Sequence, residues 1–353
     1  MKTAKKIFAL VLALCMVFAL CACGSSSTAS NASTSADTDA DYTLNFYHIF
    51  SGVGHEQEWI LKAIEEVEAQ SNGHVKINCI ADGTMGGEDE LIPQVFAGTL
   101  DMSLSGPSVW GTVGGVDAIG WSELPYIVTN YDEMNALGEI LPELTNKQLE
   151  ENGIDLYCLG AMSQGIRCLL TTEGHKVETM ADCNGLRIRV PSSDVYQQTV
   201  AAWGCSPTAM SSSQVITSLA NGTIEGFESD PASITARGQQ ESFKYYVETY
   251  HIASLNLLMM NKSVLESLPA EYQEIIKTVF AEKCVEQCYD RVQANADEVE
   301  VIKAAGVEVI TPTAEALDEF ISACDAFQQS KIAEWGVEGI VAEALEYVES
   351  KVG

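Results

Sequence analysis

Asn184-Gly185-Leu186-Arg187-Ile188-Arg189-Val190-Pro191 decides how the chain is read. Leu186, Ile188 and Val190 alternate with Arg187 and Arg189. On a strand, residues two apart share a face. The apolar trio therefore turns to a core, and both guanidinium groups turn the other way. Pro191 ends the strand, because proline has no N–H for a ladder. Ligands in α/β folds bind at the carboxyl ends of strands, so Arg189, last before the exit, is favoured over Arg187. Arginine presents a planar fork that grips a carboxylate bidentately. The same arginines would also serve as partners for surface acids, which abound.

Working outward, strands and helices alternate. Strands are expected at Thr43–Phe50, His74–Ile80, Asp101–Ser105, Ile154–Gly160, Arg167–Thr172, Tyr246–Ile252 and Leu255–Met260. Trp59, Ile60, Ala63, Ile64 and Val67 form a helical stripe over Glu56–Gln70. Further helices are expected at Glu88–Leu100, Ser193–Trp203 and Ser212–Asn221. A long one runs from Ala270 to Ala305. A short strand follows near Val307–Ile310, and helices start at Thr313 and Gly336. No element is assigned between Ser105 and Ile154. This alternation implies an α/β fold with largely parallel sheets.

The chain has 353 residues, a length that suggests two domains. It carries 50 acidic and 19 basic residues, a net charge of −31. That balance excludes nucleic acid as a partner, since a phosphate backbone needs a basic face. It also disfavours binding to anionic membranes by surface charge. There are only five arginines: Arg167, Arg187, Arg189, Arg237 and Arg291. In so negative a chain, a local arginine pair is what lets an anionic ligand bind.

Residues 1–22 read as a secretory signal peptide, with Lys2, Lys5 and Lys6 before the apolar run Ile7–Leu20. That run is too short for a good membrane span. Leu20-Cys21-Ala22-Cys23-Gly24 resembles a bacterial lipobox, which implies cleavage before Cys23 and lipid on its thiol. Residues 24–41 are rich in Ser, Thr, Ala, Asn and Asp and read as a flexible tether. Export permits disulfides, yet the eight cysteines from Cys79 to Cys324 show no framework spacing and are expected as buried thiols. Cys284 and Cys288 lie four apart with no histidine to complete a metal site.

The arginine strand resembles the signature of TRAP-type (tripartite ATP-independent periplasmic) solute-binding proteins, the DctP-like family. Similar steps flank it in order: Gly83-Thr84-Met85-Gly86-Gly87-Glu88-Asp89-Glu90-Leu91, Ala97-Gly98-Thr99-Leu100-Asp101-Met102, Glu123-Leu124-Pro125-Tyr126 and Gly165-Ile166-Arg167. Beyond it come Gly204-Cys205-Ser206-Pro207-Thr208-Ala209-Met210 and Asn221-Gly222-Thr223-Ile224-Glu225-Gly226-Phe227-Glu228. The resemblance implies a two-lobed periplasmic-binding-protein-like fold with interlobe crossovers and a long helix spanning both lobes. The implied lobes are 42–165 with 253–295, and 166–252 with 296–353. It further implies a carboxylate ligand, such as a sugar acid or dicarboxylate, held by Arg189 with help from Arg167. A TRAP permease would accept that ligand, and no cofactor is called for. The family often has an aromatic, a Glu and an Asn where this chain has Ser212, Gln214 and Ser229, which suggests a roomier, wetter site or one for a more hydroxylated ligand.

His48, near the end of the first strand, joins the candidate ligand contacts. So do Glu88 and Asp89, which would also complement a helix N-terminus, and Asp230, which would also cap a turn. Trp59 and Trp203 read as core. No P-loop, dinucleotide fingerprint or nucleophile elbow occurs; Ala161-Met162-Ser163-Gln164-Gly165 lacks the elbow's first glycine. Two other readings stay open: a binding protein of this architecture serving a sensor or ABC permease, and an exported hydrolase.

Overall fold

The computed structural model describes residues 40–353. The signal peptide, Cys23 and most of the tether lie outside the described residues. The chain begins with the alternating strand β1 (Tyr42–His48), which buries Leu44, Phe46 and His48. Helix α1 (His55–Gln70) buries the expected stripe of Ile60, Ala63, Ile64 and Val67. β2 (Val75–Ile80), α2 (Glu88–Phe96) and β3 (Met102–Ser105) follow.

The unassigned stretch holds α3 (Pro107–Gly114), a 3₁₀ turn (Asp117–Glu123) and α4 (Tyr131–Glu151). Pro142 inside α4 argues locally against a helix. Tertiary burial of Met134, Leu137, Leu141 and Leu144 outweighs it. Asn130 also caps the first turn, accepting from the Glu133 N–H at 3.0 Å.

Two pairs of expected strands fuse. β4 runs unbroken from Leu156 to Thr171, and β8 from Tyr245 to Asn261. Glycine and polar residues that read as breaks are absorbed as register shifts between Cys158 and Gly160, Ser163 and Gly165, and Arg167 and Leu169. At the last shift, β8 steps from Ile252 to Val247, and Tyr250 takes φ +43°.

Between β4 and β8 lie β5 (Arg187–Val190), α5 (Asp194–Ala202), β6 (Ser206–Ala209), α6 (Val215–Ala220), β7 (Gly226–Ser229) and α7 (Pro231–Ala236). The expected helix from Ser212 opens as a 3₁₀ turn before α6. After β8 come α8 (Lys262–Ser267), α9 (Ala270–Ala304), β9 (Glu308–Ile310), α10 (Ala314–Trp335) and α11 (Glu338–Val352).

The nine strands among the described residues join one sheet in the order β2-β1-β3-β8-β4-β7-β5-β6, with β9 on β8. The outer pairings are parallel; β3–β8, β8–β4 and β4–β7 are antiparallel. β4 and β8 thus carry the sheet from one parallel set to the other. One core packs α1 and the first part of α9 on β1–β3. A second gathers Leu170, Phe227, Phe243 and Tyr246 at the other end. A third lies among α3, α4, α5, α10 and α11. Trp203 is buried with its indole N–H donating to Phe320 O, whereas Trp59 is only partly buried. The eight described cysteines are free thiols, all buried but Cys79.

α9 packs on β4, α1, α4 and α7, and so touches both ends of the sheet. Close approach demands glycine. Gly165 sits at φ +120°, and a Cβ there would lie 2.7 Å from the Asn295 amide nitrogen. Gly165→Ala is expected to cost about 1–3 kcal/mol from backbone strain alone. Urea denaturation measures it; a loss under about 0.5 kcal/mol, the ordinary scatter of benign substitutions, would mean that the strand relaxes to a backbone conformation alanine tolerates and that α9 gives way as well.

Candidate functional site

The four-residue strand β5 sends its two arginines to different fates. Arg187, at its start, is exposed and pairs with Glu225 at 2.9 Å. Arg189, near its end, is 6% exposed and faces a cavity. That cavity lies where β1, β3, β5 and β7 finish: Ile49, Phe50, Gly106, Pro191 and Ser229 line it. Gln164, Arg167, Ser254 and Asn256 reach it from the middle of β4 and β8. This is the carboxyl-end crevice expected of an α/β sheet.

Arg189 donates from Nε and Nη2 to Met210 O, at 2.9 and 2.6 Å. Among the described residues, no carboxylate lies within ion-pair distance of it. Burial pulls its pKa down to about 10, with Arg167 and Arg237 adding to the fall and Glu228 and Glu88 opposing it. A buried cation without a counter-ion is costly, and it is poised to accept one.

Arg167 is a different case. Its Nε and Nη2 grip both carboxylate oxygens of Glu228, and Nη1 reaches Asp230 Oδ2 at 3.3 Å. Its guanidinium also lies 5.0 Å from the centre of the Tyr196 ring. Burial alone would raise the Glu228 pKa, but Arg167 and His251 outweigh it and hold the group at about 2. Arg167 lines the cavity with its charge already cancelled.

Glu88, Ser212 and Ser229 also stand on the wall. Glu88 opens α2 and accepts from Ser105 Oγ; burial pushes its pKa up. The other candidates are not brought there. His48 is buried against Gln57 at 2.8 Å, and burial lowers its pKa to about 4; its successors Ile49 and Phe50 line the cavity instead. Asp89 and Gln214 are exposed and off the wall. Asp230 is fully buried, with its oxygens taken by Ser233 and Arg167, so it caps α7 and orients the arginine.

Sequence reading missed Arg237, Gln164, Ser254 and Asn256. Ser254 and Asn256 sit two apart in an apolar run, which marks one polar face. Asn256 is 3% exposed, and its side-chain N–H₂ has no partner. Arg237 caps the end of α7, and its Nη2 donates to Ile49 O at 3.3 Å. Its signal was rarity, as one of five arginines among 50 acids.

Residues 56–334 match bacterial extracellular solute-binding protein family 7, DctP. The chain belongs to this family. A solute-binding protein of Chromohalobacter salexigens is 30% identical over 232 residues, 64% of this chain and 67% of that one. The 2,3-diketo-L-gulonate-binding periplasmic protein of Escherichia coli K12 is 27% identical over 250 residues, 69% of this chain and 74% of that one. Among solved structures, a TRAP periplasmic solute-binding protein of Haemophilus influenzae with bound L-gulonate superposes with a TM-score of 0.80 at 21% identity. That match covers 87% of this chain and 99% of the other. The expected α/β architecture, with its mostly parallel strands, is that of the family. Among the described residues, no helix is long and apolar enough to cross a membrane.

Proposed function

We propose that this family 7 protein is the extracytoplasmic receptor of a TRAP transporter and binds a sugar acid in the cavity, with the ligand carboxylate on Arg189. One observation carries the reading: Arg189 is buried, faces the cavity and has only a carbonyl for company. The serine, asparagine and glutamine lining suits hydroxyl groups, and Phe50, Val109 and Phe227 offer apolar faces to a carbon chain. The ligands named for the Escherichia coli and Haemophilus influenzae relatives, a diketo-gulonate and L-gulonate, fit that chemistry.

The mechanism is capture and closure, not turnover. The lobes are 42–165 with 253–295, and 166–252 with 296–353, except that α11 packs back on α4 of the first lobe; the hinge is where β4 and β8 lose register beside Arg167. The ligand favours the closed state only by its extra contacts there. Lipid on Cys23 and the tether keep the exported receptor at the outer face of the cytoplasmic membrane or in the periplasm, where a permease pair accepts the ligand.

A thermal-shift screen of the purified chain tests this. Sugar acids are expected to raise the melting temperature by mass action, and their neutral analogues are not. Stabilisation by neutral or cationic compounds alone would overturn the carboxylate assignment.

A further inference from the structure

Two of the three cavity arginines lack an acid partner, and they come from different elements. Arg189 ends β5 and gives its N–H groups to Met210 O. Arg237 follows α7 and gives Nη2 to Ile49 O. A carbonyl satisfies an N–H but cancels no charge. Among the described residues, the arginine ion pairs belong to Arg167, Arg187 and Arg291. Among the described residues Glu88 is the single carboxylate on the wall; it stands beyond ion-pair distance of both cations, and burial pushes its pKa up, which weakens it as their counter-charge. Burial pulls the pKa of Arg189 and of Arg237 down, as expected of cations awaiting counter-charge. An occupant with one carboxylate would leave one of them without an ion-pair partner. The remaining polar wall, including the unpartnered Asn256 amide, is built for hydroxyl groups.

We propose that the cavity takes a polyhydroxy acid with an anionic group at each end. Arg189 grips one carboxylate and Arg237 the other, so Arg237 sets the preference for a diacid over its matching monoacid. The proposal rests on the reading of this cavity as a sugar-acid site.

Calorimetric titration with D-glucarate against D-gluconate, and galactarate against galactonate, tests it. Within each pair only the C6 group changes, from carboxylate to hydroxymethyl. The parent is expected to bind at least one diacid about tenfold or more tightly than its monoacid, the scale of one added charge-assisted contact. Arg237→Gln is expected to erase that preference by weakening the diacid about tenfold more than the monoacid, and Arg237→Lys to keep part of it. Equal affinities in the parent would overturn the proposal while sparing the sugar-acid reading. So would equal losses of both acids in Arg237→Gln, which would mean that two arginines share one carboxylate. Failure of every acid to bind the parent would overturn both. Melting temperatures without ligand check that each variant folds.

Discussion

Arg189→Ala is expected to lose acid binding and keep its fold. Removing one partner of a buried, hydrogen-bonded charge pair costs about 2–5 kcal/mol, which is about 30-fold or more in affinity. The unliganded protein should not suffer. Arg189 contributes two hydrogen bonds to one carbonyl, yet it holds an uncompensated charge out of water. Its removal should leave the melting temperature unchanged or raise it, as happens where a site is strained for its ligand. Titration calorimetry and thermal denaturation on the same preparation read the two effects. Acid binding as tight as the parent's would remove Arg189 from the site; a large fall in apo stability would make it a structural residue.

Glu228→Gln should behave in the opposite way, with stability as the main casualty. Glu228 is fully buried and neutralises Arg167 across 61 residues of sequence. Breaking a buried pair by removing one partner costs about 3–5 kcal/mol, and Asp230, 3.3 Å from Arg167, offsets only part of the charge that Glu228 releases. In a domain of this size that lowers the melting temperature by on the order of 10 °C. The effect depends on pH in a defined sense. The Glu228 pKa falls from 4.5 to about 2 on folding. A depressed carboxyl stabilises fully above its unfolded pKa and loses that contribution as pH falls through its folded one. The gap between parent and variant should therefore be widest above pH 4.5 and shrink toward pH 2. A gap that ignores pH would mean that shape, and not charge, couples the pair. Arg167→Met combined with Glu228→Gln should not restore the parent's stability, since it removes the half-stranded cation but leaves buried Asp230 without one.

The arginine strand was legible because its signal is local. Four residues of alternating character fix a face, and Pro191 fixes an end. The fused strands were not legible, because the breaks at Gly160 and Gly165 are real in local terms. Only a partner strand that absorbs the register shift, and a helix that needs the missing Cβ, turn those breaks into close contacts. α4 went unassigned although Asn130 and Glu133 mark its start and its apolar spacing is helical. Pro142 opposes it locally, and burial overrides that preference.

Within the site, residue type alone does not say which side chains stand on the wall. His48, Asp89, Gln214 and Asp230 have the right chemistry for a ligand contact, but the cavity wall passes them by. Sequence by itself determined the α/β class, the family and Arg189 at a strand's carboxyl end, because periodicity and chain order are properties of neighbours. Tertiary structure decided which arginines keep a free charge. Glu228 reaches Arg167 from another strand and cancels it, while among the described residues no carboxylate comes within ion-pair distance of Arg189 or Arg237. Charge compensation depends on distance in space, and chain separation does not encode it.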